Sequence, residues 1–266
     1  MKKKYLTALY IIGLIIILGI KYIYSKASCE ELDFILAPTA RWVTLISGID
    51  FTKQIDVGYI NHSLRFIIAP SCSGVQFMLI TFATLFFPFL HRMKSVKGGI
   101  CWLAGSFVFS YPFTIFINGL RIVLAIYLPV YFDKWSISAS WLTPERLHTI
   151  IGTVVYIVSL LAVYPLAGLV LKSEENTSSD MSDQFPSKLS GKYLGKLPGK
   201  MVCRFVPPML CYFTIVLVIP LLHNARQNDF KKFMEYAILI TSVCFAILLV
   251  SFIAYAVQEH LRKRGR

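Results

Sequence analysis

Apolar residues in this chain fall into long unbroken runs rather than the spaced stripes of a water-soluble helix. The runs cover residues 5–24, 74–90, 98–117, 148–171, 205–222 and 236–257, and short polar stretches separate them. A helix needs about 20 mostly apolar residues to cross roughly 30 Å of hydrocarbon. Six such runs predict an all-α, polytopic membrane helical bundle of about six transmembrane helices. A further apolar stretch, 121–132, is short for a crossing and is interrupted by Pro129. It predicts a short re-entrant or interfacial helix on the outer side. Residues 25–72 form a small extracytoplasmic segment, in which 55–68 alternates loosely around Asn61-His62 and predicts a hairpin.

Composition sharpens this picture. Of 266 residues, 56% are hydrophobic and 15% are charged, whereas a soluble domain carries about one quarter charged residues. The net charge of +13 sits in short basic clusters between the runs, which reads as topology information and argues against a nucleic-acid partner. With the N-terminus inside, cytoplasmic pieces carry Lys2–Lys4, then Arg92, Lys94 and Lys97, six basic residues in 172–204, and a basic C-terminal tail. The outer pieces are nearly balanced, with four basic and five acidic residues in 25–72. Both termini are therefore expected in the cytoplasm. The first run is too long for a cleaved signal and no A-x-A site follows, so it reads as a retained anchor. The chain is expected to divide into a membrane core (1–171), a cytoplasmic linker rich in Ser, Gly, Lys and Pro (172–204), and a two-helix membrane hairpin with a basic tail (205–266).

Three residues with chemical potential open or close outer ends of runs. Cys72 lies in Ala69-Pro70-Ser71-Cys72-Ser73-Gly74, just before the second run. Pro70 disfavours helix before it and Ser71 is a good N-cap, which puts the thiol in a first helical turn. The helix dipole there favours an anion, and free backbone N–H groups of that turn can receive an oxyanion. Arg121, in Asn118-Gly119-Leu120-Arg121-Ile122, is costly at a membrane boundary unless it snorkels or finds a partner, and Asn118 shares its helical face. His148 follows Thr143-Pro144, a cap and first-position pair, and next to a thiol becomes a general base and acid. The plain alternatives are a packed cysteine or a Cys29–Cys72 disulfide, a snorkelling arginine and an interfacial histidine. Six cysteines without a CxxC pair or a Cys/His zinc spacing call for no metal and no cofactor.

Taken together, Pro70-Ser71-Cys72-Ser73-Gly74, Asn118-Gly119-Leu120-Arg121-Ile122 and Arg146-Leu147-His148 followed by Gly152 resemble the exosortase/archaeosortase family, and among it the small exosortase K-like members. The resemblance spans roughly residues 1–171. It implies a membrane-embedded cysteine protease or transpeptidase of the bacterial cell membrane with its active site outside. Cys72, Arg121 and His148 would form the catalytic trio, with Ser71, Ser73, Gly74 and Asn118 in support. Its implied partners are exported proteins bearing a C-terminal sorting signal, besides membrane lipid. Two other readings stand beside it. One is a serine intramembrane protease using Ser73 with His148. The other is a non-enzymatic small transporter or assembly factor, against which few ionisable residues lie within the runs and no internal repeat is evident.

Overall fold

The computed structural model describes residues 3–134, 143–179, 197–222 and 230–264. The elements in chain order are α1 (Lys3–Lys26), α2 (Asp33–Ser47), strands β1 (Thr52–Gln54), β2 (Gly58–Asn61) and β3 (Phe66–Ile68), a 3-10 turn (Pro70–Cys72), α3 (Val75–Leu90), α4 (Val96–Lys134), α5 (Pro144–Ser179), α6 (Leu197–Phe213), a π-helical turn (Thr214–Val218), α7 (Ile219–Leu222) and α8 (Phe230–Arg264). Among the described residues, five helical stretches are long and apolar enough to cross a membrane, and a shorter apolar stretch is Phe205–Leu221. The protein is an all-α polytopic membrane bundle with a small sheet. Two compact units divide it, Met1–Tyr156 and Ile157–Arg266.

In the first unit α3 is the axis. Its sequence is apolar all round, and such a helix is buried by its neighbours. Phe77, Phe82, Phe86, Leu79 and Ile80 are fully enclosed. α1 buries Leu9, Gly13 and Ile17, a four-residue repeat, and keeps Tyr10, Ile20 and Tyr24 half-buried. A Cβ on Gly13 would collide with the Phe86 ring, so glycine lets that ring lie against the α1 backbone. Other apolar residues of α1, among them Ile11, Ile12 and Ile15, are exposed. That arrangement suits lipid, where apolar side chains outside the bundle cost nothing.

Residues 27–69 build a cap on one end of the unit. Ser28 and Glu31 exchange hydrogen bonds as a capping box, the Ser28 N–H donating to Glu31 Oε2 at 2.7 Å and the Glu31 N–H to Ser28 Oγ at 3.3 Å. α2 follows and ends at Gly48, whose φ of +69° lets its N–H return to the Thr44 carbonyl. Ile35, Leu36, Ala40 and Val43 form the buried stripe of α2, meeting Cys29, Leu32, Ile68, Val75, Met78 and Ile122 in one cluster. The expected hairpin is present as β2 and β3, antiparallel, and β1 pairs on the other side of β2. Lys53 forms an ion pair with Asp33 at 2.9 Å, and the Tyr59 hydroxyl donates to the same carboxylate at 2.8 Å, tying sheet to helix.

One expectation is corrected here. Residues 121–132 form no separate re-entrant helix, because α4 continues unbroken from Val96 to Lys134 through Pro112 and Pro129. The short helix of the cap is α2, which lies along the second half of α4. Tyr111 Oη donates to the Phe34 carbonyl (2.6 Å), Trp42 Nε1 to the Phe116 carbonyl (3.3 Å) and Tyr127 Oη to the Ser47 carbonyl (3.3 Å). Lateral cover from α2 explains how an apolar stretch too short to cross remains helical.

In the second unit, α6, the π-helical turn and α7 run on without a break between them, and α8 buries Ile240 and Cys244. The expected linker 172–204 is in part helical: α5 extends to Ser179 and α6 begins at Leu197. Residues 180–196 lie outside the described residues.

Candidate active site

The chain reaches Cys72 through the 3-10 turn, with Pro70 at its first position. The Cys72 N–H donates to the Ala69 carbonyl (2.8 Å) and the Ser73 N–H to the Pro70 carbonyl (3.1 Å). Gly74 then caps α3 with φ +82°, a left-handed conformation that glycine adopts at little cost. A Cβ there would also stand 3.0 Å from Asn118 Cγ and Nδ2 and from Thr114 Cγ2. Two expectations change accordingly. Cys72 lies before α3 rather than in its first turn, since the cap is Gly74 and Ser71 is exposed. The Cys72 and Ser73 amides are spent on the turn, so neither is free for an oxyanion.

Asn118 and Arg121 sit one turn apart on α4, at the level of this turn. Asn118 is fully buried and Arg121 is 7% exposed. Asn118 Nδ2 donates to the Cys72 carbonyl at 2.7 Å, and its Oδ1 accepts from Arg121 Nη1 at 3.1 Å. Arg121 therefore does not snorkel. Burying it is tolerable because Nη1 also donates to Tyr156 Oη at 3.0 Å, with the guanidinium carbon 5.4 Å from that ring's centre. Arg121 Nε has no hydrogen-bond partner among the described residues and faces Gly152, where a Cβ would stand 3.1 Å away.

His148 comes from the first turns of α5, where Thr143 caps as expected, its Oγ1 accepting from the Arg146 N–H at 3.3 Å. His148 Nε2 lies 3.9 Å from Cys72 Sγ and takes a hydrogen bond from Arg121 Nη2. A guanidinium can only donate, so Nε2 is the acceptor and Nδ1 carries the proton of the neutral ring. Glu145, three residues before His148, is exposed. Thiol, guanidinium and imidazole, separated by up to 76 residues, are thus in mutual reach. Ser73 is fully buried, with its Oγ 3.5 Å from the Val75 N–H that donates to it.

Cys29 and Cys72 are both free thiols, so no disulfide joins them. Burial pushes the Cys29 thiol above its ordinary value, as suits a packing residue. Among the described residues no three His, Cys, Asp or Glu side chains gather as metal ligands would.

Tyr156 is the member of this network that the sequence reading missed. It carries the stripe His148, Gly152, Tyr156, at four-residue steps on one face of α5. That spacing was the available signal.

A buried guanidinium, a thiol and an imidazole thus meet at one end of a membrane helix bundle. The particular class follows from comparison: the family model of the transmembrane exosortases (Exosortase_EpsH) matches residues 1–165. The chain belongs to that family, which gives it a general role as a membrane peptidase or transpeptidase. Neither the curated proteins nor the solved structures offer a significant match.

Proposed function

We propose that the protein is a cysteine peptidase or transpeptidase of a bacterial cytoplasmic membrane. It would cleave C-terminal sorting tails from exported proteins on the extracytoplasmic side. The observation that supports this most directly is the approach of Cys72 Sγ and Arg121 Nη2 to one nitrogen, His148 Nε2. The contrast with Ser73, buried and turned to a backbone amide, favours sulfur over the neighbouring hydroxyl as nucleophile.

The neutral imidazole has a single lone pair, and at rest Arg121 holds it. A substrate carbonyl entering the site draws Nη2 onto its oxygen, and Nε2 is released to take the Cys72 proton. The thiolate then attacks the carbonyl carbon, forming an S–C bond and an oxyanion that Arg121 holds. Collapse breaks the C–N bond while His148 returns its proton to the leaving amine, and a thioester remains on Cys72. Water or an acceptor amine adds to that thioester, His148 again takes and gives one proton, and the S–C bond breaks. The Sγ–Nε2 separation of 3.9 Å is long for proton transfer. Such contacts commonly tighten when substrate binds.

The test is co-expression with a reporter protein whose exported domain ends in a short motif, an apolar helix and a basic cluster. Wild type should trim the tail, and Cys72→Ala should leave it uncut while accumulating in the membrane at the wild-type level. Trimming by Cys72→Ala at the wild-type rate would falsify the assignment.

A further inference from the structure

Arg121 has three nitrogens, and their fates differ. Nη1 is held by two acceptors, Asn118 Oδ1 and Tyr156 Oη, whereas Nη2 faces the thiol–imidazole pair. The Tyr156 hydroxyl donates to Asn118 Oδ1 at 2.8 Å while accepting from Nη1 at 3.0 Å, so it closes a three-membered ring of hydrogen bonds. Asn118 Oδ1 has two lone pairs and both are taken. Its amide cannot be turned round, because Nδ2 would then meet a guanidinium that only donates. The remaining Nδ2 bond runs to the Cys72 carbonyl, so the ring is keyed to the nucleophile's own backbone. The Tyr156 ring is fixed independently, stacked on Phe77 of α3 with centroids 4.2 Å apart and planes at 12°.

We infer that Tyr156 is a positioning residue of the reaction: its hydroxyl anchors Arg121 Nη1 against Asn118, leaving the Nη2 end to move between His148 and the substrate's carbonyl oxygen. The inference rests on the reading of Cys72, Arg121 and His148 as the reacting groups. Tyr156 touches none of the atoms that make or break bonds. It acts through Arg121, with Asn118 as the shared partner, and an end-anchored guanidinium pivots over a short arc where a free one samples many rotamers. Misplacement on the order of 1 Å costs about a hundredfold in rate.

The experiment uses the full-length protein purified in detergent, with the tail-bearing reporter as substrate. Tyr156→Phe keeps the ring and its stacking on Phe77 while removing the hydroxyl. It should lower kcat by roughly tenfold to a hundredfold with KM within about twofold, because the lost contact matters when the oxyanion forms. Unchanged kcat, or a raised KM at unchanged kcat, would overturn the inference. The second measurement is the single-turnover rate with enzyme in excess. In an Arg121→Lys background the shared fork is gone, so adding Tyr156→Phe should change the rate by less than about twofold. The same tenfold or greater loss in both backgrounds would show that Tyr156 acts independently of Arg121 and sink the proposal. Failure of the chemistry itself reads out elsewhere, as trimming by Cys72→Ala. The positioning inference can fail with that dependence intact.

Discussion

Arg121 is a buried cation held by the neutral side chains of Asn118 and Tyr156, and in the proposed mechanism it meets an arriving negative charge. As the proposed oxyanion donor it supplies about 3–4 kcal/mol, so Arg121→Ala should lower kcat roughly a hundred- to thousandfold in the reporter assay. Arg121→Lys should recover little, since one ammonium cannot both hold the Tyr156–Asn118 pair and reach the substrate. Gly152→Ala tests the same geometry from the other side. Its new Cβ would stand 3.1 Å from Arg121 Nε, so the guanidinium must shift by a few tenths of an ångström. Turnover should fall several-fold while the thermal unfolding midpoint moves by only a few degrees; unchanged turnover would mean the guanidinium tolerates displacement. At this scale much was legible beforehand. Asn118 and Arg121 at i and i+3 announce a shared face. The role of Tyr156 was hidden, because a tyrosine inside an apolar run looks like packing until its hydroxyl's partners on another helix are known.

The elements around the site divide into those fixed by local signals and those fixed by cover. The Thr143 cap, the hairpin and the apolar runs follow from short-range rules and are where the pattern puts them. The turn at Cys72 departs from its local signal. Ser71 is an acceptable cap, but Gly74 takes the left-handed position because Asn118 and Thr114 crowd that point and admit no side chain. The α2–sheet cap yields a pH-dependent prediction. Asp33 is held below the ordinary carboxylate range, first by the Lys53 hydrogen bond and then by that from Tyr59. Tyr59, desolvated and bonded to the same carboxylate, is pushed up to about 12. A depressed carboxylate stabilises the fold above its unfolded pKa, about 3.9, and the benefit fades as pH falls through the lower folded value. Asp33→Asn should therefore lower the unfolding midpoint at pH 7, and the gap from wild type should narrow in acid, as the pH falls below about 3.9. A gap of unchanged size would remove Asp33 ionisation from the account. The effect should be small, because both partners of the ion pair are substantially exposed.

For the molecule as a whole, charge bias argues that the cap faces outward and both termini face the cytoplasm. Single cysteines introduced into a variant lacking the native thiols test this. Ser63→Cys, in the β2–β3 turn, should react with a membrane-impermeant maleimide on intact cells. Lys97→Cys, at the start of α4, should react only after permeabilisation. The reverse pattern would put the site on the wrong face for exported substrates. The family match covers residues 1–165. The amino-acid sequence by itself determined that this chain lives in lipid, how many apolar runs it has, which side the basic clusters favour, and which family it joins. All of these depend on composition and short-range order. Only the tertiary structure decided that α4 continues past Arg121 under the cover of α2. It alone decided that the turn amides are spent, and that a tyrosine two turns beyond His148 grips the guanidinium. Those outcomes depend on which side chains from distant positions arrive at one point, and no periodicity within a single segment encodes that.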